Sequence, residues 1–370
     1  MSAKHTIAMQ AECIRVLHVL DKLDIRSGLS CVVMNYYKKL DSSRITFDFM
    51  LNEEPDAEIR KNIESNGSRI YVMPALKVRN TFRYIKALRD FYAAHDYKII
   101  HGHVANSAVF YLGLAKSGSV RIIHSQNAGG SAVLLKRIRN RVLTFFIRFV
   151  ANRFIACSKE AAEYLFGKKD GVLILNNAIE VERFVFDSRK REETRSALNL
   201  QDKKVIGHVG RFCAEKNHSF LIDVFEEIYL KDSSFALLLV GSGELFAEIE
   251  RKVSVSAASG NITLAGSPES VNEYLCAMDI FAMPSVSEGV PLTAVEAQAC
   301  GLPVLLSDRI SVETNVSGRC VFLSLEADWA DELMKTEAVD RVHAGEAVRD
   351  SDYNVEKQVD KLCRYYESVI

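Results

Sequence analysis

The segments IRVLHVL (14–20), ITFDFML (45–51), RIYVM (69–73), YKIIH (97–101), VRIIH (120–124), RFIAC (153–157) and GVLIL (171–175) are short and largely apolar. Longer helical patterns such as GLSCVVMNYYKKL and TFRYIKALRDFYAAH separate them. Apolar runs that return after each helix call for parallel strands with helices on both faces. After a charged, strandless stretch near 185–203 the alternation restarts with KVIGHVG, FALLLVG, NITLAG, DIFAMP and PVLLSD. Two such series predict an α/β protein of two doubly wound, Rossmann-like domains facing a central cleft, with ligands beyond the carboxyl ends of the strands. The expected division is 1–185, completed by a C-terminal helix 353–370, and 186–352, with a hinge near 180–200.

A chain of 370 residues exceeds one ordinary core. Its net charge of −1 conceals an asymmetry. Residues 1–185 hold 28 Lys+Arg against 17 Asp+Glu, and the remainder 19 against 31. A basic first half suggests an anionic partner for that domain. The eight cysteines are scattered without a C-x-x-C pair, which reads as free thiols in a reducing compartment. The N-terminal MSAKHTIAMQAEC has no signal-like apolar core, and no run has the length of a membrane helix. The expectation is a cytoplasmic protein that can touch the inner face of the membrane.

Candidate site residues lie in turns after strands. In HVGRFCAEKNH, Gly210 ends a strand and is followed by Arg211 and, five residues on, Lys216. Two cations near a helix start suit a diphosphate, and read equally as a solvated pair. In LLLVGSGELFAEI, Gly241 and Gly243 follow a strand as half a dinucleotide fingerprint; Phe246 stands where the third glycine would be, so an oxidoreductase is not indicated. In SVSEGVPLTAVEAQACGLPVLLSD, Gly289 relaxes the backbone and Pro291 suits the first helical position. The amides from Val290 to Thr293 then form an anion site at a helix N-terminus. Glu288 lies before this helix and Glu296 within it, and together they could grip hydroxyls on either side of a bound diphosphate. Taken alone, Glu288 is as readily a cap and His124 a satisfied strand-end histidine.

The E-x7-E spacing, HVGR…EKNH, VGSGEL, EAQACGLPV, ACSKEAAEYLFG and LNNAIEVERFVFD together resemble the retaining, GT-B-fold glycosyltransferases of the family 4 group. Within that group the chain looks most like cytoplasmic bacterial enzymes that build capsule and exopolysaccharide. The resemblance implies an acceptor-side first domain and a second domain for a nucleotide-sugar donor, UDP being the favoured nucleotide. It implies that Arg211 and Lys216 bind the donor diphosphate, that Glu288 faces the donor sugar and that Glu296 grips the ribose. Gly289, Val290, Pro291 and Leu292 would form the phosphate-binding helix start, with Gly210, Gly241 and Gly243 beside it. Gly266 would lie at the turn that reads the base, and Gly28 at a glycine loop where acceptor and phosphate approach. His124, in IIHSQNAGG, would stand near the reaction centre. Departures occur at Ser27-Gly28, Gln126 and the NAIE of 177–180, and they bear on acceptor and sugar identity.

The implied chemistry is front-face transfer with retention, without a covalent nucleophile, cofactor or metal, because fixed cations and amides stabilise the leaving diphosphate. The Asp350-Ser351-Asp352 triplet precedes the last helix rather than following a strand and reads as a solvated cap. Residues 97–159 contain no acid, and VLLKRIRNRVLTFFIRFVANRF (133–154) interleaves basic and apolar residues. That stretch reads either as a core-packed helix with a basic face or as a contact for anionic lipid, which would suit a lipid-linked saccharide acceptor. No nucleic-acid module is recognisable. A nucleotide-sugar epimerase on the same fold and a non-catalytic sugar-nucleotide binder remain the alternatives.

Overall fold

The computed structural model describes residues 13–24, 27–126, 145–167 and 170–370. The chain forms two compact units, Met1–Asn177 with Glu356–Ile370, and Ala178–Val355. The first unit holds β1 (Ile14–Val19), β2 (Ile45–Leu51), β3 (Ile70–Val72), β4 (Ile99–Gly102), β5 (Val120–Ser125), β6 (Arg153–Ala156) and β7 (Leu173–Ile174). The second holds β8 (Lys204–Val209), β9 (Phe235–Val240), β10 (Ile262–Leu264), β11 (Ile280–Met283), β12 (Val304–Ser307) and β13 (Val321–Leu323). The orders are β3-β2-β1-β4-β5-β6-β7 and β10-β9-β8-β11-β12-β13, and every strand pair is parallel. Each sheet therefore reverses its order once, between β1 and β4 and between β8 and β11.

Sequence and burial agree closely. All six residues of β9, FALLLV, are buried, as a strand covered on both faces requires. β2 is buried throughout although it carries Asp48. That carboxylate accepts from Arg15 Nε and Nη2 at 2.9 and 2.6 Å, the Arg69 amide at 2.7 Å and the Tyr97 hydroxyl at 2.7 Å, which compensates its desolvation. β13 escaped the sequence reading because it is a three-residue edge strand with no fully buried position. All eight cysteines are free thiols. No helix among the described residues is long and apolar enough to cross a membrane.

The units divide at 177/178 and 355/356 rather than at 185/186 and 352/353. Val181 and Phe184 are buried in the second unit's core with Leu306 and Val348, which draws the start of that unit upstream. The chain's two crossings also pair with each other: the Ile179 amide donates to Tyr353 O at 2.9 Å, and the Val355 amide to Ile179 O at 3.0 Å. Nor is the charged stretch near 180–200 a free hinge. It contains the helix Ser188–Ala197, docked on Asp279 through Arg191 Nη2 at 2.5 Å and Arg195 Nη1 at 3.3 Å. Asp279 also accepts the Val205 amide at 2.8 Å, so it ties this helix to the start of β8.

This junction is a measurable part of the second unit's stability. Asp279→Ala leaves Arg195, whose side chain is 7% exposed, without its counter-charge. The expected loss is about 2–3 kcal/mol in urea unfolding of the full chain, with discounting for the partial exposure of the pair. An unchanged midpoint would mean that the arginines find other partners.

Candidate active site

The second unit's site is built at its switch point. β8 and β11 lie side by side, pairing Ile206 with Ile280, and the segments that follow them diverge. Beside it, the turns after β8, β9 and β10 are drawn together by glycine. A Cβ on Gly241, at φ +139°, would lie 2.0 Å from the Gly210 carbonyl oxygen, and one on Gly243 would lie 2.4 Å from Phe212 O. The Gly241 amide donates to Gly266 O at 2.6 Å, and Gly266 itself is left-handed at φ +65° with open space where a side chain would go. A Cβ on Gly210 would meet His208 Nε2 at 2.9 Å and the Lys216 stem at 3.3 Å. The missing side chains let the ends of β8, β9 and β10 form one backbone-lined surface.

The two predicted cations behave differently. Arg211 is exposed and stands only 3.9 Å from Glu244. Lys216 is 14% exposed and its Nζ lies 2.8 Å from Glu288 Oε1, so residues from the turns after β8 and β11 meet across the switch point. The turns are fastened further by the Val286 amide on Glu215 O at 2.9 Å and by Asn217 Nδ2 on Pro284 O at 3.2 Å. Asn217 takes a left-handed conformation, φ 56°, to redirect the chain into the helix His218–Lys231.

The helix after β11 is Leu292–Ala299, and it starts one residue later than expected. Pro291 is the residue before it, at ψ 121°, and its carbonyl accepts from the Ala294 and Val295 amides at 3.1 and 3.4 Å. The amides of Gly289, Val290, Leu292 and Thr293 make no backbone hydrogen bond to another described residue. They form an electropositive helix start next to Glu288. Glu296 follows in that helix, where burial raises its pKa to about 7 against the opposing charge of Arg183.

Several buried polar atoms near these residues have no partner: His208 Nε2, His218 Nε2, Ser285 Oγ and Thr293 Oγ1. His208 donates from Nδ1 to Ala282 O at 2.8 Å, which leaves its Nε2 a lone pair. Burial, with the charge of Lys216, keeps both histidines uncharged, His218 at about 4. The sequence reading passed over these four, although His208 and His218 bracket the very stretch that drew attention to Arg211 and Lys216.

In the first unit His124 is the penultimate residue of β5 and is buried, 3% exposed. Its Nδ1 lies 3.2 Å from His101 Nε2, and Gln126 Nε2 lies 3.1 and 3.2 Å from its two ring nitrogens. Burial first, and His103 second, depress its pKa well below the ordinary histidine range. Gly28 opens the helix Gly28–Lys38, with nothing within 4 Å of a Cβ built there. Asp350-Ser351-Asp352 lies in the turn between the helices Arg341–Arg349 and Val355–Val369, where Ser351 Oγ bonds the Val348 carbonyl. Of the basic segment 133–154, residues 133–144 lie outside the described residues. In the part that follows, Phe145, Phe146 and Phe149 are exposed and the Arg148 guanidinium sits 4.2 Å from the centre of the Phe145 ring.

The chain matches two families, Glycosyltransferase Family 4 over residues 26–183 and Glycosyl transferases group 1 over residues 203–337. It is 30% identical over 369 residues to the protein named putative glycosyltransferase EpsF of Bacillus subtilis, covering 95% of this chain and 96% of that one. It is 23% identical to an Escherichia coli enzyme named UDP-Gal:alpha-D-GlcNAc-diphosphoundecaprenol alpha-1,3-galactosyltransferase, covering 80% and 79%. HepE of Anabaena, solved in complex with UDP, shares the two-sheet GT-B fold with a TM-score of 0.78, 15% identity and coverage of 96% and 100%.

Glu296 gives this site a pH signature. An unperturbed glutamate titrates near about 4.3. Between that value and about 7 the folded chain holds a proton that the unfolded chain has released. The group's stabilising contribution is therefore complete below the ordinary glutamate pKa and is lost as pH rises through about 7. Urea unfolding from about pH 5 to 8 should show the wild type losing stability relative to Glu296→Gln. Parallel curves would mean that Glu296 ionises normally.

Proposed function

The chain belongs to the family 4 and group 1 glycosyltransferases, and we propose that it moves a sugar from a nucleotide-diphosphate donor, UDP-linked, to a lipid-linked saccharide during surface polysaccharide synthesis. The observation that carries the donor half is the Lys216–Glu288 contact at the β8/β11 switch point, beside a helix start whose first amides have no backbone partner among the described residues. Support for the nucleotide and for the acceptor comes from HepE, solved with UDP, and from the Escherichia coli relative, whose name gives a UDP-sugar donor and a diphosphoundecaprenol-linked acceptor.

In this reading the donor diphosphate takes Lys216 from Glu288 and recruits the exposed Arg211. The amides of Gly289, Val290, Leu292 and Thr293 complete its shell, Glu296 binds ribose hydroxyls, and the freed Glu288 binds the sugar. The bond from the anomeric carbon to the β-phosphate oxygen breaks with its electron pair going to phosphate. The acceptor hydroxyl oxygen attacks from the same face, and its proton passes to the departing phosphate oxygen. Configuration is retained and the products are nucleoside diphosphate and glycoside. Charge on the leaving group is carried by Lys216, Arg211 and the helix dipole, so no metal takes part in this step. His124 acts at the transferring sugar.

The test is binding and turnover together. Arg211→Ala and Lys216→Ala should each weaken UDP binding about tenfold or more by calorimetry, since each removes a charge-assisted hydrogen bond. Glu288→Gln should hold UDP at least as tightly as wild type, because Lys216 is released, while transfer falls at least about a hundredfold. Equal UDP affinity in wild type and the Arg211→Ala/Lys216→Ala double variant overturns the donor assignment. The product's anomeric coupling in proton NMR reads retention, and undiminished rates in EDTA read metal independence.

We also propose that the first unit rests on anionic lipid through the basic segment 133–154, in keeping with a lipid-linked acceptor. The exposed Phe145, Phe146 and Phe149 beside Arg148 support it. Co-sedimentation with phosphatidylglycerol vesicles should fall with salt and be absent with phosphatidylcholine alone. Failure to bind either kind of vesicle removes the membrane contact and leaves the transferase reading intact.

A further inference from the structure

The first unit's switch point carries imidazoles. His18 on β1, His101 on β4, His103 just past it and His124 on β5 are 2, 1, 9 and 3% exposed. His18 and His101 are register partners, and Ile122, two residues before His124, is the partner of His101. With a side-chain period of two, the four share one face of the sheet. Neighbouring ring centres are 4.5 to 5.3 Å apart.

Ring nitrogens of His18, His101 and His103 lie within 4.8 Å of one another, close enough to suggest an ion. His101 and His103 stack with planes 15° apart, so their in-plane lone pairs run side by side and do not converge as a metal requires. His18 and His103 have ring centres 5.3 Å apart and Nδ1 and Nε2 3.1 Å apart, a separation that a shared proton fills.

The same contacts form a hydrogen-bonded chain. The Tyr366 hydroxyl, from the helix Val355–Val369, lies 2.5 Å from His101 Nδ1 and 3.3 Å from His18 Nε2. His101 Nε2 lies 3.2 Å from His124 Nδ1, and His18 Nδ1 lies 3.1 Å from His103 Nε2. Burial depresses all four pKa values, His103 to about 3, so each ring is neutral with one donor and one acceptor. The protons can then be placed. The shorter contact gives the Tyr366 proton to His101 Nδ1. His101 therefore carries its own proton on Nε2 and donates it to His124 Nδ1. On the other branch His18 donates from Nε2 to Tyr366, and His103 from Nε2 to His18 Nδ1. Each link receives one proton.

We propose that Tyr366 and His101 are positioning residues that hold His124 in the tautomer protonated at Nε2, which makes the C-terminal helix part of the catalytic apparatus. The role of His124 itself rests on the transferase reading above. In this tautomer His124 presents a fixed donor. The Gln126 side chain, whose Oε1 is unpartnered, lies beside both ring nitrogens of His124 and is the group that a substrate oxygen would replace.

Tyr366→Phe deletes only the hydroxyl and keeps the ring, which packs edge-on to Phe47 at 6.3 Å. In the full chain labelled with 15N-histidine, wild-type His124 should show one protonated Nε2 and one bare Nδ1. In Tyr366→Phe the two shifts should move toward each other as tautomers mix. The kcat should fall about tenfold with the donor KM unchanged. In a His124→Ala background Tyr366→Phe should cause no further fall. Unaltered His124 shifts in Tyr366→Phe, additive losses in the double variant, or stoichiometric metal in the purified protein overturn the proposal. Full activity in His124→Ala instead removes the transferase role of His124, and the NMR comparison then judges the hydrogen-bonded chain alone.

Discussion

Parallel pairing of β8 with β11 is the constraint on which the second unit's candidate site depends. Neighbouring strands at a reversal of order send their connections to opposite faces of the sheet, so the turns part and leave a gap at the strands' carboxyl ends. Beside that gap, on the β9 side of β8, the turns close on backbone. Gly241 approaches Gly210 so closely that a methyl group would collide with its carbonyl. Once side chains are excluded there, polar groups must come from further along each turn. That is why Lys216 stands several residues beyond β8 and Glu288 several beyond β11. The 2.8 Å contact between them is a consequence of sheet order as much as of charge.

The first unit solves the same topology differently. Its reversal is filled by histidines beneath a tyrosine hydroxyl rather than by glycine turns. Burial keeps these rings uncharged, and neutral imidazoles packed together must divide their protons without leaving a lone pair facing a lone pair. A chain anchored by one hydroxyl can do so in two opposite directions, and the shorter contact of Tyr366 with His101 selects one of them. Electrostatic stiffness in the second unit and hydrogen-bond parity in the first are thus two outcomes of one fold rule.

The periodicity of the sequence revealed the strands because β9 and its neighbours are buried on both faces and nothing else competes for such residues. It shows 185–203 as charged and strandless, as it is, but not that the charges of Arg191 and Arg195 are met by Asp279, more than eighty residues on. Pro291 was displaced by one position because φ suits both the cap and the first turn, and only ψ tells them apart. Arg211, Lys216, Glu288 and Glu296 were legible as separate residues through strand-end position and family resemblance. Their pairing was not, since nothing local says that Lys216 turns toward Glu288. Tyr366 was invisible, because its partner His101 lies 265 residues away and a tyrosine in an amphipathic helix looks like core.

The Lys216–Glu288 pair also bears on the stability of the second unit. With side chains only 14 and 22% exposed, neither charge is well hydrated, and an unpaired Lys216 would lower the stability of the fold. Paired, the two sum to zero and leave the helix amides and the exposed Arg211 as the net attraction for an anion. On the reading proposed above, a diphosphate that takes Lys216 also repels the carboxylate it displaces, and Glu288 turns to neutral hydroxyls, which it binds without that repulsion. The displacement lowers affinity for free nucleoside diphosphate relative to an unpaired lysine. In return Glu288 is released only when a donor is present, so the residue that addresses the sugar is freed by the group that carries it.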